Sequence, residues 1–374
     1  MTQPPPFPVE EFRSRLAALR AAMVERQVDL LIVDQFEHIQ YFGGHLPTAA
    51  MYQALLISLD KEPVAVIRAL DATVFSETSW LTDCVAIGDS DNPIKVVAQT
   101  ILARGHGASG VGVERDSHFL TVNRALELQA LLTNARIVDF SGVMWEMRQV
   151  KSPLELACLE VAAEICDCAT AEGFDAALAG VNEREVLAAV NAEALRRGAD
   201  NGCLGVVVSG PRSAALHGEL GHRVLAKGDI LHIEMLPQFR GYSSRIMRPK
   251  SIGAPTDEQM QTAKTMIRLQ DEQFRAMRPG AEAKEVDRIV REGILAAGLR
   301  DSYTNVTGYT LGLVSVPRSS DFTCAFLADS DWQLKQNQVF HMYTWAGGLA
   351  FSETVVVTPE GGKRLTKMER RLFC

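Results

Sequence analysis

Apolar and polar positions alternate in blocks along the first 150 residues. A helical rhythm in "VEEFRSRLAALRAAMVERQ" predicts one long helix. The short apolar runs "VDLLIVD", "ALLISL", "EPVAVI", "GVGVE" and "ARIVDF" predict strands. That order predicts a small α/β domain over residues 1–150 with a substantially buried sheet. After "RQVKSP" the pattern changes. Ser152, Pro153 and Glu155 fit an N-cap, a first-turn proline and a capping-box partner, so a helix starts there and runs to about Glu172. A second helix starts at the Asn182 cap, with Glu185 three residues on, and ends before Gly198. Strands follow in "GCLGVVVS" and in "GDILHIEMLPQFRGYSSRIMR", Gly228 to Arg248, which reads as two strands joined by a short polar turn.

The same plan then repeats. A helix begins at the Thr256 cap, another runs through "AKEVDRIVREGILAAGL", and strands lie near "NVTGYTLGL", "QVFHMYTW" and "SETVVVT". Two copies of helix, helix and antiparallel strands over residues 151–374 predict pseudo-twofold halves around one curved sheet. A site in such an arrangement belongs at the seam between the halves.

Composition narrows the function. A chain of 374 residues with 47% hydrophobic content has material for two domains. The net charge of −8, with both signs interspersed, argues against a nucleic-acid or anionic-membrane surface and for a small-molecule substrate. No apolar run is long enough to span a bilayer, and "MTQPPPFPVEEF" lacks the marks of an export signal, so a cytoplasmic location is expected. The seven cysteines are scattered without CxxC spacing, which predicts buried reduced thiols rather than disulfides or a zinc knuckle.

The chemistry concentrates in the Gly228 to Arg248 stretch. Glu234 sits mid-strand and Arg245 lies in the next strand, a layout that suits a pair of metal-binding carboxylates except that the second is a guanidinium. His232 precedes Glu234 by two and shares its face in a regular strand, as His341 does with Tyr343.

"MRQVKSPLELACLEVAAEI" resembles the segment that opens the catalytic domain of the creatinase, prolidase and aminopeptidase P superfamily. "LHGELGHRVLAKGDILHIEMLPQFRGY", "GYTLGL" and "SETVVVTPEGG" resemble its later blocks. The resemblance implies a pita-bread catalytic domain over 151–374 behind a creatinase-like N-terminal domain, and a homodimer. Members that are metallopeptidases hold two divalent cations with two Asp, one His and two Glu. Mapped here, those positions fall on Glu234, Arg245, Tyr309, Tyr343 and either Ser352 or, with a one-residue slip, Glu353. Hard cations need several anionic or imidazole ligands, and an arginine among them repels a metal, so no metal and no cofactor is expected.

The resemblance further places His217 where creatinase-like members keep a proton-shuttling histidine. It implies a metal-independent hydrolase of a non-peptide C–N bond in a small amide, amidine or related carboxylated compound. In that reading Glu234 is general base or nucleophile, His217 protonates the leaving nitrogen, Arg245 grips a substrate carboxylate, and Tyr309 and Tyr343 supply phenol donors. His341 and Glu353 complete the expected substrate-binding set. Creatinase itself fits poorly, because Met247 stands where that enzyme has a glutamate; ectoine hydrolase is nearer. The alternatives are a non-catalytic binding or assembly protein on this fold and a metal-dependent Xaa-Pro dipeptidase.

Overall fold

The computed structural model describes residues 5–200, 204–315, 318, 320 and 322–374. The chain divides into two compact units, Met1–Met147 and Arg148–Cys374. In the first, the order is α1 (Val9–Glu25), β1 (Leu30–Val33), α2 (Phe36–Gly43), β2 (Ala54–Ser58), β3 (Val64–Arg68), α3 (Ala72–Thr78), β4 (Cys84–Ile87), α4 (Pro93–Ala103), β5 (Gly110–Val113), α5 (Val122–Leu131), β6 (Arg136–Asp139) and α6 (Val143–Met147). The strands form a mixed sheet in the order β4-β3-β2-β1-β5-β6. Its core combines strand residues such as Leu30, Leu56 and Val111 with Ile94, Val97 and Ile101 of α4. The sequence pattern anticipates each strand of this sheet except β4, a run of only four residues, Cys84–Ile87, in which Ile87 alone is buried.

The second unit continues with α7 (Pro153–Ala176), α8 (Glu183–Arg196), β7 (Leu204–Ser209), β8 (Ile230–Leu236), β9 (Gln238–Phe239), β10 (Tyr242–Ser243), β11 (Ile246–Ser251), α9 (Asp257–Ala276), α10 (Ala283–Ala296), β12 (Gly308–Thr310), β13 (Ala325–Phe326), β14 (Val339–Ala346), β15 (Leu349–Thr358) and β16 (Gly361–Arg364). Ser152 and Thr256 cap α7 and α9 in full capping boxes with Glu155 and Gln259. Helix α7 runs past the expected end near Glu172 because Gly173 is used for close packing. A Cβ there would lie 2.4 Å from Val190 of α8 and 3.0 Å from Ile233 of β8. The expected short turn between β8 and β11 is instead the small β9–β10 hairpin, closed by Gly241 in a left-handed conformation.

The sheet of this unit has the order β13-β12-β14-β15-β11-β8-β7, with β16 beside β15. The two halves join where β11 meets β15, registered through Met247 opposite Ser352. Residues directly opposite one another share a face, as do alternate residues within a strand. One face therefore carries Val207, Ile233, Met235, Ile246, Phe340, Met342 and Val355, which pack against the four helices. The other carries His232, Glu234, Met247, Ser352, Thr354, His341, Tyr343 and Tyr309. No helix among the described residues is long and apolar enough to cross a membrane.

Strand β7 lies close against the backbone that carries Glu234: a Cβ at Gly205 would come within 2.4 Å of the Glu234 carbonyl oxygen. Because that neighbour is backbone, Gly205→Ala must move β7 or β8. The substitution is expected to cost about 1–3 kcal/mol, the usual range for overpacking, read as a lower midpoint in urea unfolding. An unchanged midpoint would mean that the strands separate without strain.

Candidate active site

On the face away from the helices, the seam between the halves gathers a buried polar cluster. Arg245 immediately precedes β11 and is held by its own backbone. Its N–H donates to Thr354 Oγ1 at 2.7 Å, and that hydroxyl donates to the Arg245 carbonyl at 3.0 Å. Thus β15 fixes the direction of the arginine. Its guanidinium Nη1 lies 3.5 Å from Glu234 Oε1 and donates to the Tyr309 hydroxyl. Glu234 and Arg245 are each only 3% exposed. Tyr309 in turn shares a 2.8 Å hydrogen bond with His341 Nδ1.

The rings of His341 and Tyr343 stack at 5.3 Å between centroids, and Tyr343 accepts from Asn305 Nδ2 at 3.2 Å. Ser352, opposite both Met247 and Tyr343, buries an Oγ that has no hydrogen-bond partner among the described residues. His232 lies on the same strand face as Glu234, and neither of its buried ring nitrogens has a hydrogen-bond partner among the described residues. His217 is exposed, within electrostatic reach of Glu234 and His232, and not hydrogen-bonded to either among the described residues.

Glu353 is not brought to this face. Its register opposite Met342 turns it toward the helices, where it is fully buried with Arg248 Nη2 at 2.7 Å, Arg370 Nε at 3.3 Å and the Thr366 hydroxyl. This corrects its assignment to substrate binding. Strand side chains alternate with period two, so a one-residue slip exchanges faces, and Ser352 is the residue that faces the seam.

Burial dominates the electrostatics. It pushes the Glu234 carboxyl above the ordinary glutamate range, with Arg245 and His217 pulling the other way without prevailing. It pushes His232 down to about 4 and His341 well below the usual imidazole range, the latter helped by Arg245. The Tyr309 phenol is raised by burial and against the pull of Arg245, so it keeps its proton at neutral pH. Among the described residues the cluster brings together the Glu234 carboxyl, the Arg245 cation, two neutral imidazoles and protonated phenols.

Those residues do not fit a divalent pair. Hard cations require several oxygen or imidazole donors in one shell. Of the positions that the resemblance assigns to metal ligands, only Glu234 is a carboxylate; the others are Arg245, Tyr309, Tyr343 and Ser352. No group of three or more His, Cys, Asp or Glu among the described residues has an arrangement able to hold a metal ion. Sequence reasoning missed Thr354 and Asn305. Thr354 reads as a plain β-branched strand residue in "SETVVVT", and no local signal marks Asn305 as the partner of a tyrosine 38 positions away.

Comparison with known proteins agrees with this architecture. The sequence profile of metallopeptidase family M24 matches residues 157–359, and that of the creatinase/prolidase N-terminal domain matches residues 15–150. An uncharacterized hydrolase/peptidase of Sinorhizobium fredii is 31% identical over 99% of this chain and 98% of its own length. The Xaa-Pro dipeptidase of Pyrococcus furiosus is 27% identical over 96% of this chain and its full length. Among solved structures, a recombinant prolidase from Thermococcus sibiricus superposes with a TM-score of 0.85 at 22% identity, covering 97% of this chain and 98% of that one. The prolidase from Pyrococcus furiosus gives 0.80 at 24% identity over 94% of this chain and all of that one.

The histidine environment sets an acid response. An unfolded histidine titrates near 6.5, whereas His232 in the fold resists protonation down to about 4. Its contribution to stability is therefore complete above about pH 6.5 and is lost as pH falls toward 4, by about 3 kcal/mol at most. His232→Gln should make the melting temperature fall less steeply between pH 6.5 and 4 than it does in the parent. Parallel profiles for parent and variant would show that His232 is not held neutral by its surroundings.

Proposed function

We propose, from the residues gathered at the seam, that this chain, which belongs to metallopeptidase family M24, a family of hydrolases, is a metal-independent member that cleaves a C–N bond in a small carboxylated amide or amidine. The observation that carries this reading is the buried contact of Arg245 with Glu234 and Tyr309 at the seam, where a guanidinium stands in place of a ligand. Glu234 is the base. Its raised affinity for protons suits it to take one from water as the water oxygen bonds to the substrate carbon. The C–N bond then breaks, the leaving nitrogen takes a proton from His217, and the proton that Glu234 took from water returns to His217, so that both groups are restored and one water is consumed per bond. Arg245 is suited to a substrate carboxylate because its planar fork matches two oxygens and it cannot lose its charge.

A second reading is supported by the relatives' names. The 27% identical Pyrococcus furiosus relative is named an Xaa-Pro dipeptidase, which favours a peptide C–N bond and a metal-dependent reaction. The two readings part on metal and on substrate.

Turnover of Xaa-Pro dipeptides, N-acylated amino acids, creatine and cyclic amidine acids, measured before and after exhaustive chelation, separates them. The expected outcome is turnover on a non-peptide member of this panel that chelation leaves unchanged and that Glu234→Gln lowers by roughly 10²-fold or more. In the same assay Arg245→Lys should raise KM more than it lowers kcat, since an ammonium cannot reproduce the fork. Xaa-Pro cleavage that disappears with chelator, returns with Mn²⁺ and tracks about two bound ions per chain would establish the dipeptidase instead. Saturable binding without turnover would leave a binding protein.

A further inference from the structure

The hydrogen bonds at the seam fix more than the position of the arginine. A guanidinium only donates, so the Tyr309 oxygen must accept from Arg245 Nη1. A phenol has one proton, and the acceptor within reach of the Tyr309 hydroxyl is Nδ1 of His341 at 2.8 Å. If Nδ1 carried a hydrogen, the phenol proton would be buried with no acceptor. Nδ1 is therefore the bare nitrogen, and a neutral imidazole then carries its proton on Nε2. His341 is fully buried, and its Nε2 has no hydrogen-bond partner among the described residues. Two further unsatisfied groups occupy the same sheet face: Ser352 Oγ, and His232 with both ring nitrogens. Buried polar groups are almost always paired, so the His341 Nε2 donor calls for a polar partner that the described residues do not supply.

We propose that His341, and not Tyr309, presents the hydrogen-bond donor to a carbonyl or carboxylate oxygen of the substrate, with Arg245 and Tyr309 as the relay that fixes its tautomer. This deepens the proposed function and rests on it for the identity of the ligand; the tautomer itself does not depend on it. Tyr309 has committed its only proton to His341 and is a positioning residue. Among the described residues Arg245, Tyr309 and Tyr343 act on or pack against His341 and Thr354 lies opposite it, and none of these is an anion that would take the Nε2 proton.

Long-range ¹H–¹⁵N spectra of the imidazoles in the full chain, with the His341 signals identified by their loss in His341→Gln, read the tautomer directly. The expected result is a neutral ring with Nε2 protonated near pH 7. Tyr309→Phe removes the proton held on Nδ1 and should produce a mixture of tautomers. N-acetylglycine, used as a probe bearing both kinds of oxygen, should shift the Nε2–H signal downfield in the parent and less in Tyr309→Phe. A ring protonated on Nδ1, or a tautomer indifferent to Tyr309→Phe, overturns the relay; a correct tautomer with no response to the probe overturns the donor role. A correct tautomer with a probe response, in a protein that cleaves none of the panel substrates, upholds the donor while defeating the hydrolase reading.

Discussion

A guanidinium buried at the joint between two half-sheets is the constraint on which this site turns. Arg245 cannot shed its charge, so everything within reach must accommodate it. Glu234 lies 3.5 Å away, Tyr309 accepts one of its protons, and Thr354 binds both its backbone N–H and its carbonyl. At an effective dielectric near 20, a unit charge about 4 Å from the guanidinium feels roughly 4 kcal/mol, and a divalent ion would feel twice that as repulsion. Glu234 alone does not offset this. The same cation favours a ligand with a carboxylate, and it orders the phenol and imidazole beside it. In the proposed function a single charge thus weighs against a metal pair and orders the donors beside it.

The opposite face shows the same rule with another outcome. Glu353 is completely buried yet surrounded by Arg248, Arg370, Arg364 and the Thr366 hydroxyl, and Arg248 also donates to the Ser352 and Met247 carbonyls. Removing either partner of such a pair leaves an uncompensated buried charge, which typically costs 3–5 kcal/mol. This network ties β11, β15 and the C-terminal segment together behind the seam. It gives the site a fixed floor: Ser352 faces the seam and Glu353 the network, one residue apart on one strand.

Several of these features are legible in the sequence alone. The caps at Ser152 and Thr256 are local chemistry, and the repeated helix, helix, strand order follows from periodicity, so both halves of the second unit were recoverable. Glu234 and Arg245 could be paired because Glu234 lies in a strand of clear alternation and Arg245 stands directly before the next one. Other features depended on tertiary structure. Whether Ser352 or Glu353 faces the seam is a matter of register against β14 and β11, which one strand's sequence does not encode. Gly173 reads as a helix end and is instead the point where α7 approaches Val190 and Ile233. Tyr309 reads as a free phenol donor; only its two neighbours, one an obligate donor, reveal that its proton is committed.

The central claim, that Arg245 has closed this face to a metal pair and left a cation-centred binding site, is met most directly by titrating Mn²⁺ into the metal-stripped protein while following thermal unfolding. A ligand that binds the folded state raises the melting temperature with concentration. The account predicts no rise for the parent chain across micromolar to millimolar Mn²⁺, because one carboxylate beside a fixed cation is not a site. A saturable rise at micromolar Mn²⁺ that disappears in Glu234→Ala would contradict it.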